Sequence, residues 1–386
     1  MSFKFPLATS SWDQDEQDAI QRVIASDMYS LGPEVAKFEQ QFAAFMGSEH
    51  AVMCNSGSSA NLLMVAALCY TRENPLQRGD EVIVPAVSWS TTYAPLHQYG
   101  LHLKFVDIDP HTLNYDLDQL TTAITDKTRL IMAVNLLGNP NDFDAITKII
   151  GDRDIPIIED NCESMGATLN GKQAGSFGIM GSFSAFFSHH ISTMEGGLVI
   201  TDDTELYHLM LSLRAHGWTR NLPKENLVTG TKSDDPFEES FRFVLPGYNL
   251  RPLEMSGAIG QAQLTKLPDL INGRRRNGAL FQSALGNHPE LRIQRETGAS
   301  SWFGFSLVIK PESKLNRRAL VDQLNAKGFE CRPIVSGNFA KNEVLKHFDH
   351  SIHGTLENAD YIDQNGLFIG NHHYPIEEAI EALREL

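Results

Sequence analysis

The sequence predicts an α/β fold in which helices cover both faces of a central sheet. Short runs rich in β-branched and aliphatic residues alternate with stretches whose apolar residues recur at helical spacing, and this alternation is typical of sheets with helical crossovers. Ligands of such sheets usually bind beyond the carboxyl ends of the strands, so we expect the functional site there. The predicted strands cover residues 81–86, 103–107, 129–135, 155–160, 181–187 and 197–201.

Two helices are predicted before the sheet and a mixed region after it. Residues 13–26 and 33–46 carry apolar residues at helical spacing, and a long helical pattern follows from about residue 253 to 285. Strand and helix patterns alternate after that helix. We therefore expect a large domain over residues 1–250, and a linking helix with a smaller C-terminal α+β domain over residues 251–386.

Composition excludes several classes of partner. The formal charge of -16 disfavours nucleic acid and anionic membrane surfaces, while a hydrophobic content of 42% permits a sizeable core. The cysteines Cys54, Cys69, Cys162 and Cys331 are far apart and form no CxxC pair, which is typical of reduced thiols. The N-terminus lacks the apolar core of a signal peptide, and no apolar run reaches bilayer length. We expect a cytoplasmic protein without membrane contact.

Three segments carry candidate ligand-binding residues. Gly57 and Ser58 begin an apolar helical run, where free N–H groups suit a phosphate, although a serine-rich helix cap is the more common explanation of such a segment. Trp89 follows a strand, either as a stacking surface or as a core residue. Asp160 ends another strand, where aspartate more often serves as a turn or cap residue.

The most informative segment covers residues 182–197, which end in Glu-Gly-Gly. It resembles the lysine segment of the nucleotide-sugar aminotransferases, a family of fold-type-I pyridoxal-phosphate (PLP) enzymes. His189 occupies the position of the family's lysine, and no other lysine lies between Lys172 and Lys224. A lysine can bond covalently to PLP and also transfer protons, whereas an imidazole can only transfer protons.

The resemblance implies a fold-type-I, aminotransferase-like architecture with a mixed, mainly parallel sheet. It also implies a site for PLP or pyridoxamine phosphate (PMP). Asp160 would contact the pyridine nitrogen, and Asn249 would reach the phosphate of the neighbouring subunit in a homodimer with shared active sites. Glu163 stands where the family usually has glutamine, and its role is open between the cofactor's phenolic oxygen and the substrate. The implied cofactor residues are Gly57, Ser58, Trp89, Asp160, Glu163, Ser184 and Asn249.

With a histidine in the lysine position, the chain resembles the sugar 3-dehydratase branch of this family. The branch implies that His189 is the catalytic acid and base, that the substrate is a GDP-linked 4-keto-6-deoxy sugar, and that L-glutamate regenerates PMP. After loss of the C3 hydroxyl, hydrolysis would release ammonia, and the regeneration of PMP would convert L-glutamate to 2-oxoglutarate. His216, Arg220 and Arg332 are candidate substrate-binding residues, although a single arginine is more often a solvated surface residue.

Other functions compete with this interpretation. One is a sugar 4-aminotransferase that has lost its lysine, and another is a 3-dehydratase of a different nucleotide-linked sugar. A CDP-linked dehydratase with an iron–sulfur cluster is disfavoured because the scattered cysteines do not form a cluster-binding group. No metal-ligand cluster at usual spacing is present. A non-enzymatic scaffold is disfavoured by the retained Asp160, Ser184, Glu195 and Asn249.

Overall fold

The computed structural model describes residues 3–386, which form a large sheet, a smaller sheet, two short hairpins and twelve α-helices. The strands are β1 (His50–Cys54), β2 (Glu81–Pro85), β3 (His102–Val106), β4 (Thr128–Val134), β5 (Ile157–Asp160), β6 (Thr168–Leu169), β7 (Lys172–Gln173), β8 (Met180–Ser184), β9 (Gly197–Thr201), β10 (Glu225–Asn226), β11 (Gly230–Thr231), β12 (Leu291–Arg292), β13 (Gly304–Ile309), β14 (Cys331–Arg332), β15 (His350–Ile352) and β16 (Gly366–Gly370).

The helices surround these strands and supply most of the connections between them. They are α1 (Gln14–Ser26), α2 (Pro33–Met46), α3 (Gly57–Leu68), α4 (Ser90–Gln98), α5 (Leu117–Ala123), α6 (Phe143–Ile150), α7 (Thr204–Leu213), α8 (Pro236–Glu239), α9 (Glu254–Leu285), α10 (Arg317–Ala326), α11 (Glu357–Asn365) and α12 (Glu377–Arg384). None of the helices in residues 3–386 combines the length and apolarity needed to cross a bilayer.

The large sheet has eight strands in the order β1-β9-β8-β5-β4-β2-β3-β15. Strand β9 runs antiparallel to both neighbours, and every other adjacent pair is parallel. Val82 and Val84 of β2 pack with α3 and α4, whereas Ile83 packs with α5 and α6. This alternation shows that both faces of the sheet are covered, which confirms the predicted α/β fold with a mainly parallel sheet.

The predicted strands and helices largely coincide with the observed ones. The strand predicted at 197–201 is β9 itself, while the one predicted at 181–187 ends earlier, at Ser184. Two strands of the large sheet, β1 and β15, were not among the predicted runs. Strand β15 pairs with β3 although it lies more than two hundred residues later in the chain, so its place depends on tertiary structure.

The C-terminal region forms an antiparallel sheet in the order β12-β13-β16-β14. Its core includes Phe281 and Leu285 at the end of α9, together with apolar residues of α10 and α12. The C-terminal region also contributes β15 to the large sheet, and Phe5 near the N-terminus forms a bridge with Phe329 of the C-terminal region. The division at residue 250 stays a prediction, and residues 1 and 2 lie outside the described residues.

Candidate active site

A cavity of about 390 Å³ lies where the parallel strands of the large sheet end. Gly57 follows β1, Trp89 follows β2, Asn135 follows β4, Asp160 ends β5 and Ser184 ends β8. Parallel strands bring their carboxyl ends to one edge of a sheet, so residues distant in sequence meet here. The site therefore lies at the predicted edge.

One end of the cavity combines a helix N-terminus with hydroxyl groups. A Cβ atom at Gly57 would lie 2.6 Å from Ser184 Cβ and 2.8 Å from Cys162 Sγ, so the first turn of α3 approaches β8 closely because residue 57 is glycine. Ser58 Oγ lies 2.8 Å from Thr91 Oγ1. The free N–H groups at the start of α3, with the hydroxyls of Ser58 and Ser184, form an arrangement that suits a phosphate group.

Asp160 presents a fixed carboxylate to the same cavity. Asn61 Nδ2 and Thr92 Oγ1 each donate a hydrogen bond of 2.8 Å to Asp160 Oδ2, and the Cys162 N–H donates to Oδ1 at 3.1 Å. These donors hold a buried carboxylate in one orientation. Such a group suits a protonated ring nitrogen, because an adjacent carboxylate favours the charged form.

Trp89 lines the cavity with an exposed indole. It immediately precedes α4, and 58% of its surface is accessible. Behind it, Ser88 Oγ and Thr92 Oγ1 lie 2.7 Å apart and fix the turn. The exposed aromatic face fits a flat ligand ring, so the structure favours a stacking surface over a core residue.

Glu163 is held by an unusual turn. The Leu137 N–H donates to Glu163 Oε2 at 2.9 Å, and Leu137 has a φ of 54°, which is uncommon for a residue other than glycine. Burial raises the pKa of Glu163 to about 7; the Leu137 N–H opposes that rise and the charge of Asp160 adds to it. Glu163 can therefore exchange a proton near neutral pH.

His189 lies on the cavity wall, in the turn between β8 and β9. The backbone N–H of His189 donates to the Phe186 carbonyl at 2.9 Å, and the His189 ring centroid lies 5.1 Å from that of Phe303. Ser188 Oγ lies 3.4 Å from His189 Nδ1. The turn and the aromatic contact thus fix one imidazole orientation.

The His189 imidazole on this wall is a neutral base. Burial, followed by the positive charge of Arg274, lowers the pKa of His189 to about 4, against the smaller opposing effect of the Phe186 carbonyl. The imidazole is therefore uncharged and able to accept a proton at neutral pH. Among the described residues, no lysine lines the cavity.

Two predicted residues of the segment after α7 lie outside the cavity lining. Asn249 is exposed, and its Oδ1 accepts a hydrogen bond of 2.9 Å from Arg251 Nε. His216 is half-buried with a φ of 64°, and its N–H donates to the Tyr248 carbonyl. Their roles stay predictions.

The two predicted arginines also lie outside that lining, on the surface. The Arg220 guanidinium lies 5.1 Å from the Trp218 ring centroid, and Arg332 Nη2 pairs with Glu330 at 2.7 Å. Both arginine residues are exposed in the described chain. The structure therefore brings together His189 and six of the seven predicted cofactor residues, and leaves Asn249 and the substrate residues apart.

Sequence reasoning missed several residues that shape the site. Asn61 and Thr92 hold Asp160, and each lies three residues after a predicted site residue, Ser58 or Trp89. Phe303 packs against His189 from the C-terminal region, and no motif surrounds it. Asn61 and Thr92 are distant from Asp160 in the sequence, and Phe303 lies in no motif, so none of these contacts had a local sequence signal.

Comparison with known proteins places this geometry in a family. The chain is 63% identical over 380 residues to GDP-4-keto-6-deoxy-D-mannose 3-dehydratase of Yersinia pseudotuberculosis, with 98% of this chain and 97% of the relative covered. It is 61% identical over 383 residues to the protein of the same name from Escherichia coli O55:H7, with 99% of each chain covered.

Solved structures agree with this relationship. The E. coli GDP-4-keto-6-deoxy-D-mannose-3-dehydratase with bound hydrated PLP superposes with a TM-score of 0.99 at 61% identity, covering 100% of this chain and 99% of that chain. A structure of GDP-4-keto-6-deoxymannose-3-dehydratase with a trapped PLP-glutamate geminal diamine superposes with a TM-score of 0.98 at 61% identity, covering 99% of each chain. The family model of the DegT/DnrJ/EryC1/StrS aminotransferases matches residues 10–383. The chain therefore belongs to the DegT/DnrJ/EryC1/StrS aminotransferase family.

Proposed function

We propose that the protein removes the C3 hydroxyl of GDP-4-keto-6-deoxy-D-mannose and forms GDP-4-keto-3,6-dideoxy-D-mannose. PLP and PMP are its cofactor forms, and L-glutamate is the amine donor. Each turnover converts one L-glutamate to 2-oxoglutarate and releases its nitrogen as ammonia. The two relatives above carry the name of this activity, and the solved structures contain PLP and a PLP-glutamate adduct.

One observation carries the proposal: the cavity wall presents a neutral histidine where the family's lysine is expected, and the described lining contains no lysine. An imidazole accepts and returns protons but cannot bond covalently to the cofactor as an amine does. A lysine favours completed transfer of the amino group. A histidine favours loss of the hydroxyl, with the nitrogen released afterwards.

The remaining cavity residues fit the cofactor. When bound, it supplies an amine for the sugar ketone and an electron-accepting ring. Asp160 would hold the ring nitrogen and Trp89 would cover the ring, while Ser58 and Ser184 would bind the phosphate with the N–H groups of α3. The close approach of α3 to Ser184, which a Cβ at Gly57 would block, supports this phosphate site.

His189 would perform both proton transfers through its imidazole ring. Its neutral ring would accept a proton from the carbon that carries the amine of PMP and would then donate it to the C3 hydroxyl, which leaves as water. The contact with Phe303 holds the ring in one orientation throughout. Glu163, whose pKa burial raises to about 7, lines the same cavity and can hold a second proton.

The same proposal includes a homodimer with shared active sites. A GDP-sugar carries two phosphates, yet the described lining contains Asp160, Glu163 and Glu195 and neither arginine nor lysine. Phosphates are usually bound by such cations. Asn249 and Arg220 lie exposed outside the lining, where a second copy of the chain can use them. The four free cysteines suit a reducing compartment, and we place the protein in the cytoplasm.

Mass analysis of the sugar product tests the proposal. The protein is incubated with PLP, L-glutamate and the GDP-, CDP- or dTDP-linked 4-keto-6-deoxy sugar. We expect a GDP-linked product that lacks the C3 oxygen and retains a C4 ketone. A 4-amino sugar with its C3 hydroxyl intact would contradict dehydration, and preferred turnover of another nucleotide would contradict the GDP assignment. His189→Asn is the matched control, because asparagine keeps polarity without exchanging protons.

A further inference from the structure

Arg274 is a buried cation that the proposed mechanism does not use. It lies in the middle of α9 and is 7% exposed. Its Nη1 donates to the Phe303 carbonyl at 3.1 Å and to the Asn371 carbonyl at 2.9 Å. Within residues 3–386, no carboxylate lies within ion-pair distance of it. A buried charge without a counter-charge costs folding free energy, so stability alone does not explain Arg274.

The carbonyl groups bound by Arg274 belong to the segment that contacts His189. The Phe303 N–H donates to the Leu137 carbonyl at 3.0 Å, which joins this segment to the turn that also holds Glu163. Contact is close there, because a Cβ at Gly138 would lie 2.6 Å from the Trp302 nitrogen. The Phe303 backbone is thus fixed from two sides, by Arg274 and by the 136–138 turn.

The Phe303 ring transmits this position to the histidines. Its centroid lies 5.1 Å from that of His189 and 6.0 Å from that of His190. His190 is buried, and its Nε2 lies 3.1 Å from the Ser301 carbonyl oxygen in the same segment. Both histidines therefore face the segment whose backbone Arg274 holds.

We propose that Arg274 is a positioning residue for His189: it fixes the backbone that places the Phe303 ring against the imidazole, and it keeps an uncompensated positive charge behind that ring. This inference rests on the proposed function, in which His189 must be neutral to accept a proton. It assigns to the long helix α9 a part in setting the protonation of the active site.

The charges around His189 oppose each other. Asp160, Glu163 and Glu195 line the same cavity as His189, whereas Arg274 acts on His189 from outside that lining. His190 is the adjacent histidine, and Arg275, His372 and His373 complete the titratable groups around Arg274. Burial lowers the pKa of Arg274 to about 10, so it remains protonated at neutral pH. Its charge therefore extends the neutral form of His189 to lower pH than burial alone.

Acylation by diethyl pyrocarbonate tests this inference without substrate or turnover, because the reagent modifies neutral imidazole. The rate at His189 is followed by peptide mapping between about pH 4 and pH 8 in the parent, Arg274→Met and Arg276→Met proteins. Arg276 is exposed on the same helix and provides the matched control. At about pH 5 we expect His189 of Arg274→Met to react roughly two- to fourfold more slowly than His189 of the parent. This is the loss of neutral imidazole that follows when the pKa of His189 rises by about 1 to 1.5.

The outcomes separate the claims. A profile of Arg274→Met that coincides with Arg276→Met would overturn the positioning role. A His189 midpoint at the ordinary value of about 6.5 in the parent would also overturn it, whether or not Arg274→Met folds. Absence of C3–O cleavage by the parent would contradict the proposed function and leave the acylation result unaffected.

Discussion

The carboxyl edge of the large sheet and the segment from His216 to Arg251 contribute differently to the candidate site. At the edge, strand ends converge and hold Asp160 and Ser184 in buried, hydrogen-bonded positions. The segment instead presents an exposed surface, with Phe237 87% and Phe241 75% accessible. One chain thus supplies the residues that line the cavity. The exposed segment can contact a second chain, and the predictions below test this difference between the sheet edge and the segment.

The largest expected effect comes from His189→Asn at the edge. Asparagine keeps polarity and approximate size but cannot exchange a proton, so dehydration should fall by about 10²- to 10⁴-fold. Cofactor affinity and thermal stability should stay near those of the parent. Steady-state kinetics with the GDP-linked ketosugar measure the loss, and a variant within a few-fold of the parent would remove His189 from the proton transfer.

The next effect compares two buried aspartates near strand ends. Asp160→Asn should lower turnover by roughly 10²-fold and weaken cofactor binding, because a fixed charge facing the ring nitrogen is lost. Asp107 instead accepts hydrogen bonds of 2.8 Å from the Asn358 and Ala359 N–H groups at the start of α11. Asp107→Asn should therefore lower the melting temperature with near-normal turnover. Equal kinetic losses in both variants would contradict the assignment of Asp160 to the cofactor.

Subunit mixing tests the contribution of the exposed segment. His189→Asn and Asn249→Ala should each be inactive or nearly so. An equal mixture of the two should recover about a quarter of the parent activity, because half of the dimers are mixed and each mixed dimer regains one intact site. The measurement is turnover after co-refolding or co-expression. No recovery with demonstrated mixed dimers would show that Asn249 does not act across the interface.

The smallest expected effect is a pH-dependent stability change at Glu163. Its pKa of about 7 lies above the ordinary 4.5, so its stabilising contribution is complete below the lower value and is lost as pH rises through the higher one. The glutamine in Glu163→Gln cannot ionise, so the variant should be stabilised more at about pH 8 than at pH 5. The difference in unfolding free energy should be at most about 3 kcal/mol, and the melting temperature should rise accordingly. Calorimetry of cofactor-free protein measures this, with the exposed Glu195→Gln as control. Equal shifts at both pH values would show that Glu163 is not held in this way.

The features predicted from sequence are those that depend on local order. Gly57, Asp160 and Ser184 lie at strand ends or helix starts, and the resemblance of residues 182–197 to the family's lysine segment identified His189. Contacts made by distant chain segments were not predictable. Phe303 meets His189 only because the C-terminal region folds back onto the 136–138 turn. Arg274 was visible only as part of a long helix, since nothing in its sequence context shows which carbonyl groups it binds.

The fate of the glutamate nitrogen tests the central claim most directly. The protein is supplied with heavy-nitrogen L-glutamate and GDP-4-keto-6-deoxy-D-mannose, and the label is followed in ammonia and in the sugar. Because His189 can move protons but cannot bind the cofactor covalently, we predict that the label appears in ammonia in equal amount to the 2-oxoglutarate formed, beside a 3-deoxy sugar without nitrogen. Retention of the label in a 4-amino sugar that keeps its C3 hydroxyl would contradict the account.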